Sequence, residues 1–167
     1  MAGPSRAAQT TVAIKAHILI IESRYYAAVA DALLEGALAE LSASGATFEK
    51  VTVPGALEIP QALAQAVGAG LMSNEDSEAH YDGAIVLGCV IRGETAHYDI
   101  VCNNANHWLM EIATQACVPL GNAILTVDTE AQAMARATGG RAGKGGDAVR
   151  ACLSVLQLAR TFEAVGE

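Results

Sequence analysis

The nine residues GAIVLGCVI (83–91) carry no charge and no side-chain amide or hydroxyl. A run this short and this rich in Ile, Val and Leu reads as a strand rather than a helix, buried on both of its faces. Immediately beyond it stand Arg92, Gly93, Glu94, Thr95 and His97. An apolar strand that ends in such a cluster delivers those groups to a site.

Toward the N-terminus, HILIIES (17–23) is a second apolar run rich in Ile. Residues 24–45 come next, with Ala and Leu at helical spacing and a stop at Gly45. ATFEKVTV (46–53) alternates like a strand, and PGALEIP (54–60) is a loop bracketed by Pro54 and Pro60. Residues 60–72 read as a helix and 73–82 as an acidic surface linker. After the central strand come a long helix over 98–117, a strand over 121–127 and a short helix over 129–137. The loop TGGRAGKGGD (138–147) and a last helix over 147–163 complete the chain. Four strands alternating with helices predict an α/β three-layer domain, a four-stranded parallel sheet flanked by helices. Residues 14–167 form one such domain, and residues 1–13, small and polar, read as a flexible N-terminal arm.

Composition narrows the function. The chain has 167 residues, 52% of them hydrophobic, and a net charge of -8. An acidic chain with scattered Lys and Arg lacks the basic patch that nucleic acid demands. No stretch is long and uncharged enough to span a bilayer. The apolar excess calls for burial between sheet and helices, or between subunits. Cys89, Cys102, Cys117 and Cys152 form no C-x-x-C and read as reduced thiols of a cytoplasmic protein. His17, His80 and His107 sit at a strand edge, in the acidic linker and on a helix face, without the spacing of a metal site.

Ligands in parallel sheets bind beyond the carboxyl ends of the strands. Those ends carry Ser23-Arg24-Tyr25, Gly55-Ala56-Leu57-Glu58, Arg92-Gly93-Glu94-Thr95 and Asp128-Thr129. His97, at a helix start, suits proton transfer near neutral pH or plain capping. Gly93, Glu94 and Thr95 stand where a loop enters a helix, a place for a phosphate or for a capping Thr95 hydroxyl. Glu58 in its stiff loop suits polyol hydroxyls or solvent. Tyr25 and Tyr26 suit stacking on a flat ring or packing of their helix. GGRAGKGG is not a P-loop, because Thr138 and Gly145 stand where Gly and Ser/Thr are required. Arg136, Arg141 and Lys144 still offer charge for one phosphate.

Four segments, VPGALEIP, GCVIRGETAHYDIVCN, NAILTVDTEAQAMARA and GKGGDAV, together resemble the 6,7-dimethyl-8-ribityllumazine synthases of riboflavin biosynthesis. The likeness runs from about Ala16 to Phe162. It implies a flavodoxin-like fold and the condensation of 5-amino-6-(D-ribitylamino)uracil with 3,4-dihydroxy-2-butanone 4-phosphate, without metal or organic cofactor. It implies that Tyr25 stacks on the pyrimidine and that Ala56, Leu57 and Glu58 hold the ribityl chain. Cys89, Val90 and Ile91 match the segment that reads the pyrimidine edge. Gly93, Glu94 and Thr95 match the phosphate loop, His97 the proton-transfer group and Arg136 the phosphate-pairing arginine. Lys144 matches a lysine of the site.

The resemblance also implies a homo-oligomer built from pentamers. Arg136, Lys144 and the segment around Asn122 would then enter a neighbour's site, and the N-terminal arm would be a candidate extra strand on a neighbour's sheet. Many relatives carry Phe in place of Asn122, so stacking from that side is lost here or replaced by a hydrogen bond. A non-catalytic flavin- or lumazine-binding protein on the same fold is the alternative that this departure leaves open.

Overall fold

The structure, a computed structural model, describes residues 10–72 and 80–166. Its strands are β1 (His17–Ser23), β2 (Thr47–Val53), β3 (Gly83–Ile91) and β4 (Leu120–Val127). Its helices are α1 (Ala27–Ser44), α2 (Glu58–Gly68), α3 (His97–Gln115), α4 (Glu130–Ala137) and α5 (Lys144–Gly166). The sheet runs β2-β1-β3-β4 with every neighbouring pair parallel. This is the expected α/β three-layer arrangement.

The two-residue period of the strands sorts the core into two layers. Ile18, Ile20, Ile85, Leu87 and Leu125 face α1, α4 and α5, against Val29, Leu33, Ala133, Val149 and Leu153. Leu19, Ile21, Ala84, Val86 and Ile124 face α2 and α3, against Ile59, Leu63 and Leu109. The central strands β1 and β3 are apolar because both faces are covered. The edge strand β2 is not: six of its seven residues are exposed, Phe48 and Val51 among them.

Element boundaries depart from the periodicity in instructive places. Helix α2 starts at Glu58 rather than at residue 60, because a proline in the first turn lacks only an N–H the helix does not need there. Helix α5 starts at Lys144 rather than at 147 and runs through Gly145 and Gly146. Those glycines are not loop residues. A Cβ on Gly145 would lie 1.9 Å from the Leu33 carbonyl oxygen, and one on Gly146 would lie 2.2 Å from that of Arg141. They let α5 press directly on α1 and on the single 3-10 turn Gly140–Ala142. Gly45 ends α1 as expected, at φ 78°, its N–H donating to the carbonyls of Leu41 and Ser42.

The expected acidic linker lies largely outside the described residues, as does most of the N-terminal arm. Where description begins, the Thr11 hydroxyl donates to Glu40 at 2.9 Å and Val12 packs on the α1/α5 layer. Among the described residues no helix is long and apolar enough to cross a membrane.

Candidate active site

The order β2-β1-β3-β4 sets the place of the site. From β1 the chain passes outward to β2 in one direction and to β3 and β4 in the other. Loops leaving the carboxyl ends of β1 and β3 therefore diverge and open a crevice between them. A cleft of about 410 Å³ occupies that position. Tyr25 and Tyr26 line it after β1, Gly55 to Glu58 after β2, and Cys89 to Ile91, Gly93, Thr95, His97 and Tyr98 along and beyond β3.

Each wall has its own local cause. Tyr25 is 75% exposed at the lip, its ring edge-on to Tyr26 with centroids 5.1 Å apart. Such a ring has a free face to offer. Glu58 opens α2, and its carboxylate lies over Gly55, where a Cβ would come within 3.0 Å of Oε2. Strand β1 pairs with β3 only as far as Leu87, whereas β4 pairs with it up to Ile91. The segment Gly88–Ile91 therefore runs past β1 and turns one backbone edge toward the cleft. The Tyr26 phenol meets that edge at Ile91. Its pKa is raised by burial and by the charges of Tyr25 and Cys89, against the opposing backbone hydrogen bond.

His97 is the first residue of α3 and is exposed to the cleft. The Thr95 hydroxyl accepts from the His97 N–H at 3.4 Å, but the N-cap residue of α3 is Ala96, which makes no side-chain cap bond, so Thr95 is not the N-cap. Cys89 sits on the cleft wall, 8% exposed. Burial, with the nearby Cys102 and Glu130, pushes its thiol up to about 11. It is a protonated, weakly nucleophilic wall at neutral pH.

Glu94, Asn122, Arg136, Arg141 and Lys144, all candidates from the sequence, do not line the cleft of their own chain, and Arg141 is turned to Glu40 instead. Asn122 lies exposed on the edge strand β4. Its Nδ2 donates to Asn106 Oδ1 and its Oδ1 accepts from the Ile124 N–H, both at 2.8 Å. Arg136 is exposed near the end of α4 and donates to the Gln132 carbonyl at 2.9 Å. Lys144 opens α5 and pairs with Asp147 at 2.9 Å.

The cleft brings together an exposed aromatic ring, a carboxylate, a strand edge that β1 leaves unpaired and a histidine beside a glycine-containing loop. Comparison with known proteins gives the family. The family model described as 6,7-dimethyl-8-ribityllumazine synthase matches residues 15–160. The chain belongs to the 6,7-dimethyl-8-ribityllumazine synthase family.

Relatives in that lumazine synthase family are similar along most of their length. A protein of Nitrobacter hamburgensis named 6,7-dimethyl-8-ribityllumazine synthase is 52% identical over 145 residues, covering 87% of this chain and 86% of the relative. One from Rhodopseudomonas palustris strain BisA53 is 48% identical over 165 residues, covering 96% and 97%. One from Agrobacterium fabrum is 49% identical over 144 residues, covering 86% and 95%. The resemblance read from the sequence assigns no role to four residues that line this lumazine synthase cleft: Tyr26, Gly55, Tyr98 and Val101. Tyr98 carries a signal, as an aromatic directly after His97 in a chain with only 4% aromatics.

Proposed function

We infer that the chain is a 6,7-dimethyl-8-ribityllumazine synthase acting at the penultimate step of riboflavin biosynthesis. It condenses 5-amino-6-(D-ribitylamino)uracil with 3,4-dihydroxy-2-butanone 4-phosphate, giving 6,7-dimethyl-8-ribityllumazine with loss of water and inorganic phosphate. The observation that carries this reading is the cleft at the ends of β1, β2 and β3. It gathers Tyr25, Ala56, Leu57, Glu58, Val90, Ile91, Gly93, Thr95 and His97 in a chain of this family.

The roles follow from the chemistry. Tyr25 stacks on the pyrimidine, and the backbone at Cys89, Val90 and Ile91 pairs with its edge. Glu58 accepts hydrogen bonds from ribityl hydroxyls. The pyrimidine amine attacks the ketone, and water leaves to give the imine. Phosphate is then eliminated, and the ribitylamino nitrogen closes the ring with loss of a second water. Each step moves protons between carbon, nitrogen and oxygen, and His97 is the group placed to carry them. The leaving phosphate gathers negative charge, which the N–H groups of the Gly93–Glu94–Thr95 loop and a guanidinium would stabilise. Holding both substrates in one cleft supplies much of the rate by orientation.

The guanidinium is Arg136, supplied with Lys144 and Asn122 by a neighbouring subunit. Their exposure outside the cleft of their own chain supports this. The working unit is then a ring of subunits, a pentamer, in the cytoplasm. The exposed apolar residues Ile100, Trp108 and Met110 of α3 give such a ring surface to bury.

The test mixes purified protein with both substrates and follows lumazine fluorescence above the uncatalysed background. Acceleration that falls in Arg136→Ala supports the reading. No acceleration by folded, assembled protein overturns it.

A further inference from the structure

Arg92 stands between β3 and the loop that leads to His97, yet its side chain does not line the cleft. It turns instead across the surface. Its backbone N–H donates to the Val127 carbonyl at 2.9 Å. Its Nε donates to Asp128 Oδ1 at 3.0 Å, and its Nη1 lies 3.6 Å from Asp99. Its guanidinium carbon stands 4.1 Å from the ring centroid of Tyr98. Tyr98 lines the cleft directly after His97, and its phenol meets Cys102 and Thr126.

We propose that Arg92 is a positioning residue: by clamping Tyr98 it braces the 93–97 loop and sets that loop's affinity for the phosphate-bearing substrate. The proposal rests on the synthase reading for the identity of that substrate. One planar side chain spans the loop, from the residue before it to the two residues after it. The loop has little packing of its own. Gly93, Glu94, Thr95 and His97 are all exposed, and a Cβ placed on Gly93 would meet nothing within 4 Å. Such a segment keeps its shape only if its ends are held. The far anchor is itself fixed, since the Asp128 N–H donates to Gln132 Oε1 at 2.9 Å.

Arg92 does not serve as the anion ligand. Two carboxylates already face its guanidinium, so the cluster carries net negative charge and repels a phosphate. The geometry also explains why an arginine is used. Lysine keeps the charge but has neither the flat face for Tyr98 nor the fork for two carboxylates.

The experiment uses the full chain as wild type, Arg92→Lys, Tyr98→Leu and the double variant. Affinity for inorganic phosphate is measured by titration calorimetry, with KM for each substrate and the thermal midpoint alongside. Each single variant weakens phosphate binding by about tenfold, as expected for losing the cation–π contact that holds the loop. The double variant loses no more than either single one, because both break one brace. KM rises for the butanone phosphate and not for the uracil, with the thermal midpoint little changed. Unchanged phosphate affinity in Arg92→Lys, additive losses in the double variant, or equal rises in both KM values would each overturn the brace. A wild type that binds phosphate without making lumazine defeats the synthase reading and still tests the brace by calorimetry. A wild type that makes lumazine as fast as Arg92→Lys, with equal KM values, defeats the brace alone. A wild type that neither binds phosphate nor turns over defeats both.

Discussion

Glu40 of α1 receives Arg150 of α5 across 2.7 Å, with the Glu40 side chain wholly out of water and Arg150 at 12%. Arg141 joins from the 3-10 turn at 2.8 Å, and Thr11 from the start of the described chain at 2.9 Å. One buried carboxylate thus ties together four segments. Burial alone pushes its pKa up. The hydrogen bonds from Arg141 and Thr11 and the charge of Arg150 outweigh burial and hold it below the usual carboxylate value.

Glu40→Gln is expected to cost about 2–3 kcal/mol of stability, since it leaves guanidinium groups without their counter-charge. A folded-state pKa below the unfolded one stabilises the native state above about pH 4.3, the unfolded value. That contribution falls as the pH drops through the native pKa. Urea unfolding of wild type and Glu40→Gln between pH 7 and pH 3 checks both points. The two stabilities converge toward the acid end; a constant gap would remove Glu40 as the cause.

Gly145→Ala is expected to destabilise by at least about 3 kcal/mol, because its Cβ has to push backbone rather than a side chain. The Leu33 carbonyl oxygen stands 1.9 Å from that position. Gly68→Ala is the control. It lies in the last turn of α2 with nothing within 4 Å, and replacing it is expected to gain about 0.5 kcal/mol. Thermal melts of the two variants should move in opposite directions.

The shared-site reading predicts complementation. Arg136→Ala is expected chiefly to raise KM for the butanone phosphate. His97→Ala is expected to slow turnover yet leave it measurable, because positioning persists without the proton carrier. Co-refolding the two variants creates some sites with both groups intact. Specific activity of the mixture then exceeds the mean of the two separate preparations. A mixture at the mean would place both groups in one subunit.

Asn122→Phe is expected to cost about 1 kcal/mol of stability, the typical worth of a hydrogen bond lost. It removes the bonds to Asn106 and Ile124 and supplies a ring. If β4 of one subunit faces the pyrimidine of the next, KM for the uracil substrate falls through stacking. A raised KM would mean that the native amide contacts the pyrimidine itself.

The fold and half of the site are legible in the sequence for the same reason. The strands GAIVLGCVI and HILIIES are apolar throughout, so they are central, and the residues just after them sit at the carboxyl edge. That logic places Tyr25, Ala56, Leu57, Glu58, Thr95 and His97 in one cleft. It fails at Gly145 and Gly146, where glycine signals backbone contact rather than a loop, a distinction sequence does not carry. It also passes over Tyr98, whose place depends on the clamp that Arg92 closes from the far end of the loop. Arg136, Lys144 and Asn122 escape a single-chain reading altogether, since the cleft of their own chain does not contain them.

The half-exposed indole of Trp108 has a practical use. It is the only tryptophan in the chain, 51% exposed in an apolar groove with Leu57, Pro60, Ala64 and Ile112. Its neighbour Leu57 also lines the substrate cleft. The molecule therefore carries one indole fluorophore on a face adjoining the site. Its emission colour reads, without any label, whether that face is wet or covered by another chain.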